Sequence, residues 1–335
     1  MAWRKYNSIE NTYNEFAVNK AREVIHPSMP WVVSEKVDGS NGSYVVSSDG
    51  TIKMAKRSCV IGDNDNFDGM KDNLEKHKDQ FLKVFQIMKR YYSYLDSIII
   101  YGENFGGFYP HPDVAKVSNA KKIQGRVYYT PEINFIVYDI AIVFSKVDPP
   151  FYVPFGVFKE AVTEAGLYST PVLFIGSLDE ALSFPNDFET KVPSMFNLPP
   201  IPNNVAEGVV IKPFAEYAGG SDRIIFKNKN DIFSEVKSKD KVELSDDIKS
   251  ILAIAENYVT ESRLHNIISH FTDLHKEDFG KVLKEFTMDV LKDFEKDNQV
   301  IFNTLDKSTI KIINKNVTNL TRSLLKQKFF NYVAE

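Results

Sequence analysis

Short hydrophobic runs separated by turn residues fill the first two thirds of the chain, a pattern typical of β-strands. Trp31-Val32-Val33 is predicted to form a buried strand. Residues 70–95 carry Lys, Glu, Leu and Phe at helical spacing and predict a helix. We therefore expect a mixed α+β domain from residue 31 to about 230. Further strands are predicted at 43–46, 98–101, 135–140, 209–211 and 224–226.

Prolines interrupt the middle of the chain, where nine of the fifteen lie between Pro149 and Pro202. Because proline fixes φ and removes a backbone donor, this stretch is expected to be largely irregular. Short helices are predicted near 156–165 and 178–184. We assign the stretch to the same domain as the strands around it.

The sequence changes character after Asp231. Residues 234–241 are polar and rich in lysine, and Ser245-Asp246-Asp247 predicts a helix start with acids in its first turn. From there to the end the hydrophobic spacing is helical, with one helix predicted around Phe279 to Phe294. The predicted organisation is a first domain over 1–233, a linker over 234–244 and an all-α domain over 245–335.

The last predicted helix, 308–327, separates its apolar and basic residues onto opposite faces. Two interpretations of the basic face stay open, a solvated lysine surface or a ridge that binds phosphates. The apolar stripe is predicted to contain Ile310, Ile313, Val317, Leu320 and Leu324. The basic stripe is predicted to contain Lys307, Lys311, Lys315, Arg322 and Lys326.

Composition predicts a soluble globular protein, with 43% hydrophobic residues and a net charge of −4 over 335 residues. This charge argues neither for nor against nucleic acid. A single cysteine, Cys59, excludes an internal disulfide and a cysteine-rich zinc site. The N-terminus lacks a signal-peptide core, and no hydrophobic run is long enough to span a bilayer. Cytoplasmic residence without membrane association is expected.

A lysine is the first candidate for chemistry. Lys36-Val37-Asp38-Gly39 directly follows the predicted strand Trp31-Val32-Val33. Because glycine permits a sharp turn, the strand would deliver Lys36 into a pocket as a nucleophile. The chain has no Walker-type GxxxxGK(S/T) sequence, so a P-loop phosphate site is unsupported.

Carboxylates and cations follow at later strands. Glu103 ends a buried strand and could accept hydrogen bonds from ribose hydroxyls or cap a loop. Tyr138 could stack on a base or belong to the core. Asp139 is expected to be buried and to need a partner. Glu207, at a strand entry, could hold a hydrated divalent cation. Arg223, Lys227 and Lys229 alternate along a predicted strand face, where inward cations require an anion such as a triphosphate.

These segments resemble the motifs of covalent lysine nucleotidyltransferases, the superfamily of ATP-dependent DNA ligases, RNA ligases and capping enzymes. Within it the chain most resembles the RNA ligase 2 family, the bacteriophage RNA repair and kinetoplastid RNA-editing ligases. Many similar RNA ligases carry His at the position of Asp38. The motifs are Lys36-Val-Asp-Gly, Gly102-Glu103, Tyr138-Asp139, Glu207-Gly-Val-Val-Ile-Lys212 and Lys227-Asn-Lys229. Supporting segments are Lys5 to Asn11, Ala55-Lys56-Arg57 and Asp278 to Val282.

The resemblance implies an ATP-grasp-like nucleotidyltransferase domain with antiparallel β-sheets, followed by an all-α domain that takes part in nick sealing. It implies an ATP-dependent RNA ligase that uses Mg²⁺, which Mn²⁺ could replace. The expected mechanism passes through a lysyl-AMP and an adenylylated RNA. The expected partner is nicked duplex or structured RNA, bound by a monomer.

The resemblance also implies roles for particular residues. Lys36 would carry AMP, with Asp38, Lys227 and Lys229 in the catalytic group. Asn41, Arg57, Phe67, Lys311 and Lys315 are the expected RNA contacts. The nucleotide would be bound by Glu35 near adenine, Asn41, Arg57 and Glu103 at ribose, Tyr138 stacked on the base, Asp139, the metal-orienting Glu207, and the phosphate-binding Lys227 and Lys229.

Two alternatives stay open. A DNA ligase or a GTP-using capping enzyme would carry similar motifs, and a nucleic-acid-binding homologue without activity represents a different class. DNA ligases and capping enzymes resemble one another in following the nucleotidyltransferase domain with a β-rich OB-fold. The helical pattern of 245–335 therefore favours the RNA ligase hypothesis.

Overall fold

A computed structural model describes residues 3–118, 120–144, 150–215, 223–233, 248–271 and 274–332. The chain divides into two compact units, Met1–Asn230 and Asp231–Glu335. The predicted linker 234–244 and the predicted helix start at 245–247 lie outside the described residues. The predicted domain boundaries therefore stay a prediction.

The described residues of the first unit form two five-stranded sheets. All strand pairs are antiparallel except that of β1 with β10. The first sheet has the order β1 (Glu10–Asn11), β10 (Phe226–Lys229), β9 (Gly208–Pro213), β2 (Trp31–Lys36) and β8 (Val172–Gly176). The second has the order β4 (Ile52–Lys56), β3 (Ser40–Ser47), β5 (Ser97–Gly106), β6 (Ile133–Val143) and β7 (Phe151–Tyr152).

Helices cover both sheets and create the hydrophobic cores. A core that includes Val33, Val209 and Ile211 of the first sheet packs with residues of α1 and α4. The inner residues of the second sheet pack with α2 and α3, which carry large buried side chains such as Phe81 and Phe158. These helices are α1 (Glu15–Val24), α2 (Met70–Tyr91), α3 (Phe155–Ala165), α4 (Leu178–Leu182) and α5 (Val192–Met195).

The predicted α+β class with antiparallel sheets and C-terminal helices is confirmed, and most predicted strands are present but longer. The strand predicted at 224–226 is misplaced, because β10 begins at Phe226 and ends at Lys229. Ile224 and Ile225 are buried in the irregular segment before it. A short apolar run signals burial, and burial alone does not fix where a strand begins.

The described part of the second unit is helical. An N-cap side chain begins α7 at Thr260 and α10 at Asp306, and each accepts a hydrogen bond from a backbone N–H of the first turn. The helices are α6 (Ile248–Asn257), α7 (Glu261–Ile268), α8 (Phe279–Asp297), α9 (Gln299–Phe302) and α10 (Lys307–Lys328).

The buried stripe of α10 differs in part from the predicted one. Ile313 and Val317 are completely buried as predicted, whereas Ile310, Leu320 and Leu324 are only half-buried. The buried face of the helix is a row with i, i+4 spacing. Two members of this row are threonines, which a prediction based on apolar residues leaves out. The basic stripe is exposed at all five predicted positions. The buried row is Thr309, Ile313, Val317, Thr321 and Leu325.

No helix in the described ranges combines the length and hydrophobicity needed to cross a bilayer.

Candidate active site

A buried carboxylate between two lysines forms the centre of the site. Lys36 at the end of β2 and Lys229 at the end of β10 both lie opposite Gly208 of the intervening β9. Glu207 immediately precedes Gly208, and its oxygens lie 2.5 Å from Lys36 Nζ and 3.0 Å from Lys229 Nζ. Burial alone would raise the pKa of Glu207, but the two ammonium groups hold it below its usual value.

Gly208 makes this arrangement possible. Its φ is +146°, and a Cβ there would lie 2.2 Å from the carbonyl oxygen of Asn228. Any other residue would push β9 and β10 apart and separate Glu207 from Lys229. The sequence Glu207-Gly208 therefore places the carboxylate between the two cations.

The turn after Lys36 joins the two sheets. Gly39 lies so close to β5 that a Cβ would be 2.2 Å from the carbonyl oxygen of Asn104. The backbone N–H of Asp38 donates to the Tyr129 hydroxyl at 2.8 Å. These contacts fix the backbone directly after the candidate nucleophile.

Two further carboxyl groups interact electrostatically with the central one. Burial raises the pKa of Asp38 to about 7, the charge of Glu207 adds to the rise, and Lys36 opposes it. Burial raises the pKa of Glu103 to about 8, against the opposing charge of Lys36. Each therefore accepts a proton near neutral pH unless a cation is added. The site is suited to a ligand that brings positive charge or hydrogen-bond donors.

The Glu103 carboxyl is predicted to reduce stability at alkaline pH. Because folding raises its pKa from 4.5 to about 8, the folded protein favours the protonated form, and stability is lost as pH rises through this range. We expect Glu103→Gln to be more stable than wild type at pH 8 by at least about 1 kcal/mol, or about 2–4 °C in melting temperature. Thermal unfolding at a series of pH values measures this difference.

The gain should shrink as pH falls towards 4.5, the ordinary pKa of the group. Glu23→Gln serves as a control, because Glu23 is exposed. An unchanged melting temperature for Glu103→Gln across the range would show that this carboxyl does not resist ionisation.

Tyr138 projects from an irregularity in β6. Tyr101 pairs with Asp139 and the next residue, Gly102, pairs with Val137, so Tyr138 is the extra residue of a β-bulge. Bulges redirect side chains and are frequent beside active sites. The Tyr138 hydroxyl accepts a hydrogen bond from Asn41 Nδ2. Asn41 itself lies opposite Glu103 in the pairing of β3 with β5, so the structure brings these three predicted residues together.

Asp139 lies in a second ion cluster. Its carboxylate is completely buried and accepts hydrogen bonds from the Tyr6 hydroxyl at 2.8 Å and Arg223 Nη2 at 2.7 Å. Lys212 Nζ lies 3.2 Å away. Burial would raise the pKa of Asp139, but Arg223 and Lys212 hold it below its usual value.

This cluster shows which groups surround Asp139. The residue has no exposed surface, and its protein partners lie beside the strand that carries Tyr138, so its predicted contact with a nucleotide stays a prediction. The anion opposite Arg223 is the carboxylate of Asp139, where a triphosphate was predicted. The predicted alternation also fails at this residue, because Arg223 precedes the first residue of β10.

Glu35 is likewise held by the protein. Its carboxylate is 1% exposed and accepts hydrogen bonds from Thr190 Oγ1 and from the backbone N–H of Lys191 at 2.8 Å. Burial raises its pKa to about 7, against these hydrogen bonds. The carboxylate thus anchors the segment before α5, and its predicted place beside adenine stays a prediction.

The remaining predicted residues lie at different depths. Arg57 is exposed, and its charge acts on the Glu103 carboxyl. Phe67 begins a 3₁₀ turn and packs on the core of the second sheet, with Lys56 Nζ 5.2 Å from its ring centre. Lys227 is half-buried on β10 opposite Val210. Lys311 and Lys315 are exposed on α10 of the second unit.

The described residues contain no group of three or more His, Cys, Asp or Glu side chains arranged to hold a metal ion. Glu207, predicted to orient a metal, contacts two ammonium groups. A divalent cation at this centre would therefore need the phosphate oxygens of a ligand for most of its coordination, which is the usual mode of Mg²⁺.

Several residues that build the site were not predicted as site residues. Tyr6 and Lys212 were named only as members of the motif segments Lys5 to Asn11 and Glu207 to Lys212. No sequence pattern pointed to Thr190 or Tyr129 as a site residue. A buried Asp needs a partner, so the partner of Asp139 could have been sought among nearby cations. The hydrogen bonds to Glu35 and Asp38 depend on long-range packing and leave no local pattern.

Two family models match the chain. The model described as RNA ligase matches residues 29–229 and contains every candidate residue around Lys36. The model described as T4 RNA ligase 2 C-terminal matches residues 227–322, which cover most of the helical unit.

Individual relatives agree with these matches. RNA-editing ligase 1, mitochondrial, of Trypanosoma brucei brucei is 32% identical over 209 positions, which cover 54% of this chain. The chain spans only 44% of the length of that relative. RNA-editing ligase 2, mitochondrial, of the same organism is 24% identical over 353 positions, covering 89% of this chain and 84% of the relative.

Among solved structures, a variant of the Naegleria gruberi RNA ligase with AMP and Mn is 17% identical. The superposition covers 71% of this chain and 59% of that one, with a TM-score of 0.46. A similarity at this level adds nothing to what the two family models show.

Proposed function

The chain belongs to the RNA ligase family, of the RNA ligase 2 type, and we propose that it is an ATP-dependent RNA ligase that joins 3'-OH and 5'-phosphate RNA ends. The observation that carries this proposal is the contact of Lys36 with Glu207 beside Lys229. This contact positions one amine at the end of a buried strand, next to a second cation that can neutralise phosphate charge.

In the proposed first step, the Lys36 ammonium loses one proton to solvent, and the neutral Nζ attacks the α-phosphorus of ATP. A P–N bond forms, Nζ loses a second proton to solvent, the bond between the α-phosphorus and the bridging oxygen breaks, and pyrophosphate leaves with the electron pair. Glu207 orients the lysine, and Lys229 lies where it can offset negative charge. Such positioning and charge neutralisation supply most of the catalysis in phosphoryl transfer.

In the second step, an oxygen of the RNA 5'-phosphate attacks the phosphorus of the lysyl-AMP. The P–N bond breaks, and Lys36 Nζ regains two protons, which restore its ammonium form. In the third step, the 3'-hydroxyl oxygen attacks the RNA 5'-phosphorus, and AMP leaves with the electron pair. The proton of the hydroxyl passes to solvent, so the protein returns to its starting state.

Asn41, Glu103 and Tyr138 would form the nucleoside side of the pocket. They lie together because β3 pairs with β5 and because the bulge redirects Tyr138. A tyrosine ring offers a stacking face, and Glu103 offers a carboxyl oxygen to a ribose hydroxyl. Arg57, which is exposed and acts electrostatically on Glu103, would contact ribose or the RNA end.

ATP would bring a divalent cation, Mg²⁺ or Mn²⁺, into the site. When bound, the cation would neutralise phosphate charge in the transition state. Glu207 is the protein carboxylate that would orient the cation, and the raised pKa values of Asp38 and Glu103 would fall beside it.

The proposed substrate is nicked duplex or structured RNA, a finer statement than the RNA substrate implied by the RNA ligase family model, and the chain is proposed to act as a monomer. Cytoplasmic residence is proposed because the single cysteine is free and exposed, which suits a reducing compartment. The helical unit would contribute to nick sealing. Its candidate RNA contacts are Lys311 and Lys315, both exposed on α10.

Charge reversal on α10 should separate the steps of the reaction. We expect the double substitution Lys311→Glu and Lys315→Glu to weaken RNA binding and sealing while AMP still attaches to Lys36. The slope of log affinity against log salt should fall by about 2 if each lysine contacts one phosphate. A gel assay of nick sealing and labelling with ATP measure the two activities separately.

Lys284→Glu with Lys292→Glu makes the same charge change on exposed positions of α8 and serves as the control. An equal loss of AMP attachment and sealing in the α10 variant would indicate a folding role for this helix.

The proposed function is tested by comparing substrates. Wild-type protein should seal a nick with a 3'-OH ribonucleotide and should take its nucleotide from ATP in preference to GTP. Faster sealing of a nick with a 3'-OH deoxyribonucleotide would identify a DNA ligase. Covalent labelling by GTP without sealing would identify a capping-type enzyme.

A further inference from the structure

The segment between β5 and β6, described at residues 107–118 and 120–132, packs directly on the turn that follows Lys36. Gln124 Nε2 donates to the carbonyl oxygen of Gly39 at 3.2 Å, and the Tyr129 hydroxyl accepts from the N–H of Asp38 at 2.8 Å. Both side chains are buried. The segment therefore has a fixed inner surface against the site, and whatever its outer surface binds lies close to the nucleophile.

The outer surface of this segment is basic and aromatic. Phe108 is 37% exposed, and Lys122 Nζ lies 3.8 Å from the ring centre of Tyr128 and 5.8 Å from that of Phe108. Lys121 and Arg126 are exposed. We call Phe108, Lys121, Lys122, Arg126 and Tyr128 the basic–aromatic rim.

This segment carries an excess of positive charge. Residues 108–128 contain four Lys or Arg and one acidic residue, Asp113, whereas the whole chain has a net charge of −4. Burial lowers the pKa of Lys122, and the negative charge of Asp38 opposes that shift. Arg126 also acts on Asp38. Lys122 and Arg126 thus lie within electrostatic range of the catalytic turn, where an added phosphate would be stabilised.

We propose that the basic–aromatic rim binds the RNA strand at the end being joined. A base would stack on the exposed Phe108 ring, and Lys121 and Arg126 would contact the neighbouring backbone phosphates. Exposed aromatic rings beside cations are the usual combination for single nucleic-acid strands, because every base has a face to stack and every nucleotide has a phosphate. This inference rests on the proposed function.

The occupant is RNA rather than the pyrophosphate of ATP for a chemical reason. An inorganic anion gains nothing from an exposed phenyl ring, whereas a base does. The rim should therefore affect the RNA-dependent steps more than the attachment of AMP. The contacts of Glu207 with Lys36 and Lys229 are made by residues outside the rim.

Binding of a fluorescent nicked RNA duplex with a 5'-phosphate tests the inference in the full-length protein. We expect Phe108→Ala to weaken binding at least about fivefold and Phe108→Trp to restore it. Lys121→Ala with Arg126→Ala should weaken binding and reduce the salt slope by about 2. Tyr94→Ala is the matched control, because Tyr94 is 90% exposed just before the opposite end of β5.

AMP attachment from labelled ATP is measured on every variant. Unchanged RNA binding in both rim variants overturns the inference, and so does a loss of AMP attachment equal to the loss of binding, which would assign the segment to the Lys36 turn. Failure of the wild-type protein to take up AMP would instead contradict the proposed function. The two failures are therefore distinguishable.

Discussion

Lys36→Ala protein should take up no AMP from α-labelled ATP and magnesium, whereas the wild-type protein should become labelled through an acid-labile bond. The substitution removes the proposed nucleophile, and the loss should span several orders of magnitude, as it does when other covalent enzymes lose theirs. Gel autoradiography of the denatured protein measures the label. The closeness of Lys229 to Glu207 makes Lys229 a nearby amine that could compete.

Lys36→Arg is the control for folding, because it keeps a positive charge beside Glu207 but cannot form a stable bond to AMP. It should be folded and unlabelled. Label that persists on Lys36→Ala and disappears when Lys229 is also replaced would move the nucleophile to Lys229. Label that persists on both variants would place it elsewhere in the chain.

Asp139→Asn should destabilise the first unit by about 3–5 kcal/mol at neutral pH, because it leaves two buried cations without their carboxylate. The side chains of Lys212 and Arg223 are only 8% and 5% exposed. For a unit of this size the melting temperature should fall by about 10 °C or more. Thermal unfolding followed by circular dichroism measures the change.

Glu164→Gln is the matched control, because it breaks the exposed ion pair with Arg90 and should cost at most about 1 kcal/mol. Folding lowers the pKa of Asp139 from 3.8, so its stabilising effect is present above pH 3.8 and is lost as pH falls through the lower folded value. The difference between wild type and Asp139→Asn should therefore shrink in acid. Equal stability at neutral pH would contradict a structural role for the cluster.

Periodicity was sufficient to predict the larger elements of the fold. The helix at Met70–Tyr91 and the final helix at Lys307–Lys328 were predicted to within a few residues. Each is long enough for the apolar spacing of an amphipathic helix to repeat over several turns. Short strands were less well defined. At β10 the buried Ile224 and Ile225 resembled strand residues, although the sheet pairing begins only at Phe226.

The sequence predicted some of the residues that meet in the candidate site. Lys36 and Glu207-Gly208 were predicted from short separate motifs, and the pairing of β2, β9 and β10 explains why they lie together. The partners of Asp139 and Glu35 were not predictable, since Tyr6 and Thr190 come from distant segments. A sequence shows that a buried charge needs a partner, but only the fold decides whether a ligand or the protein supplies it.

The most direct test follows the label from the protein to RNA. Wild-type protein carrying labelled AMP on Lys36 is freed of ATP and mixed with nicked RNA duplex. The account predicts that label leaves the protein, appears transiently on the RNA 5'-phosphate and is released as AMP while the nick is sealed. Label that stays on the protein in the presence of nicked RNA, or that moves equally well to nicked DNA, would contradict it.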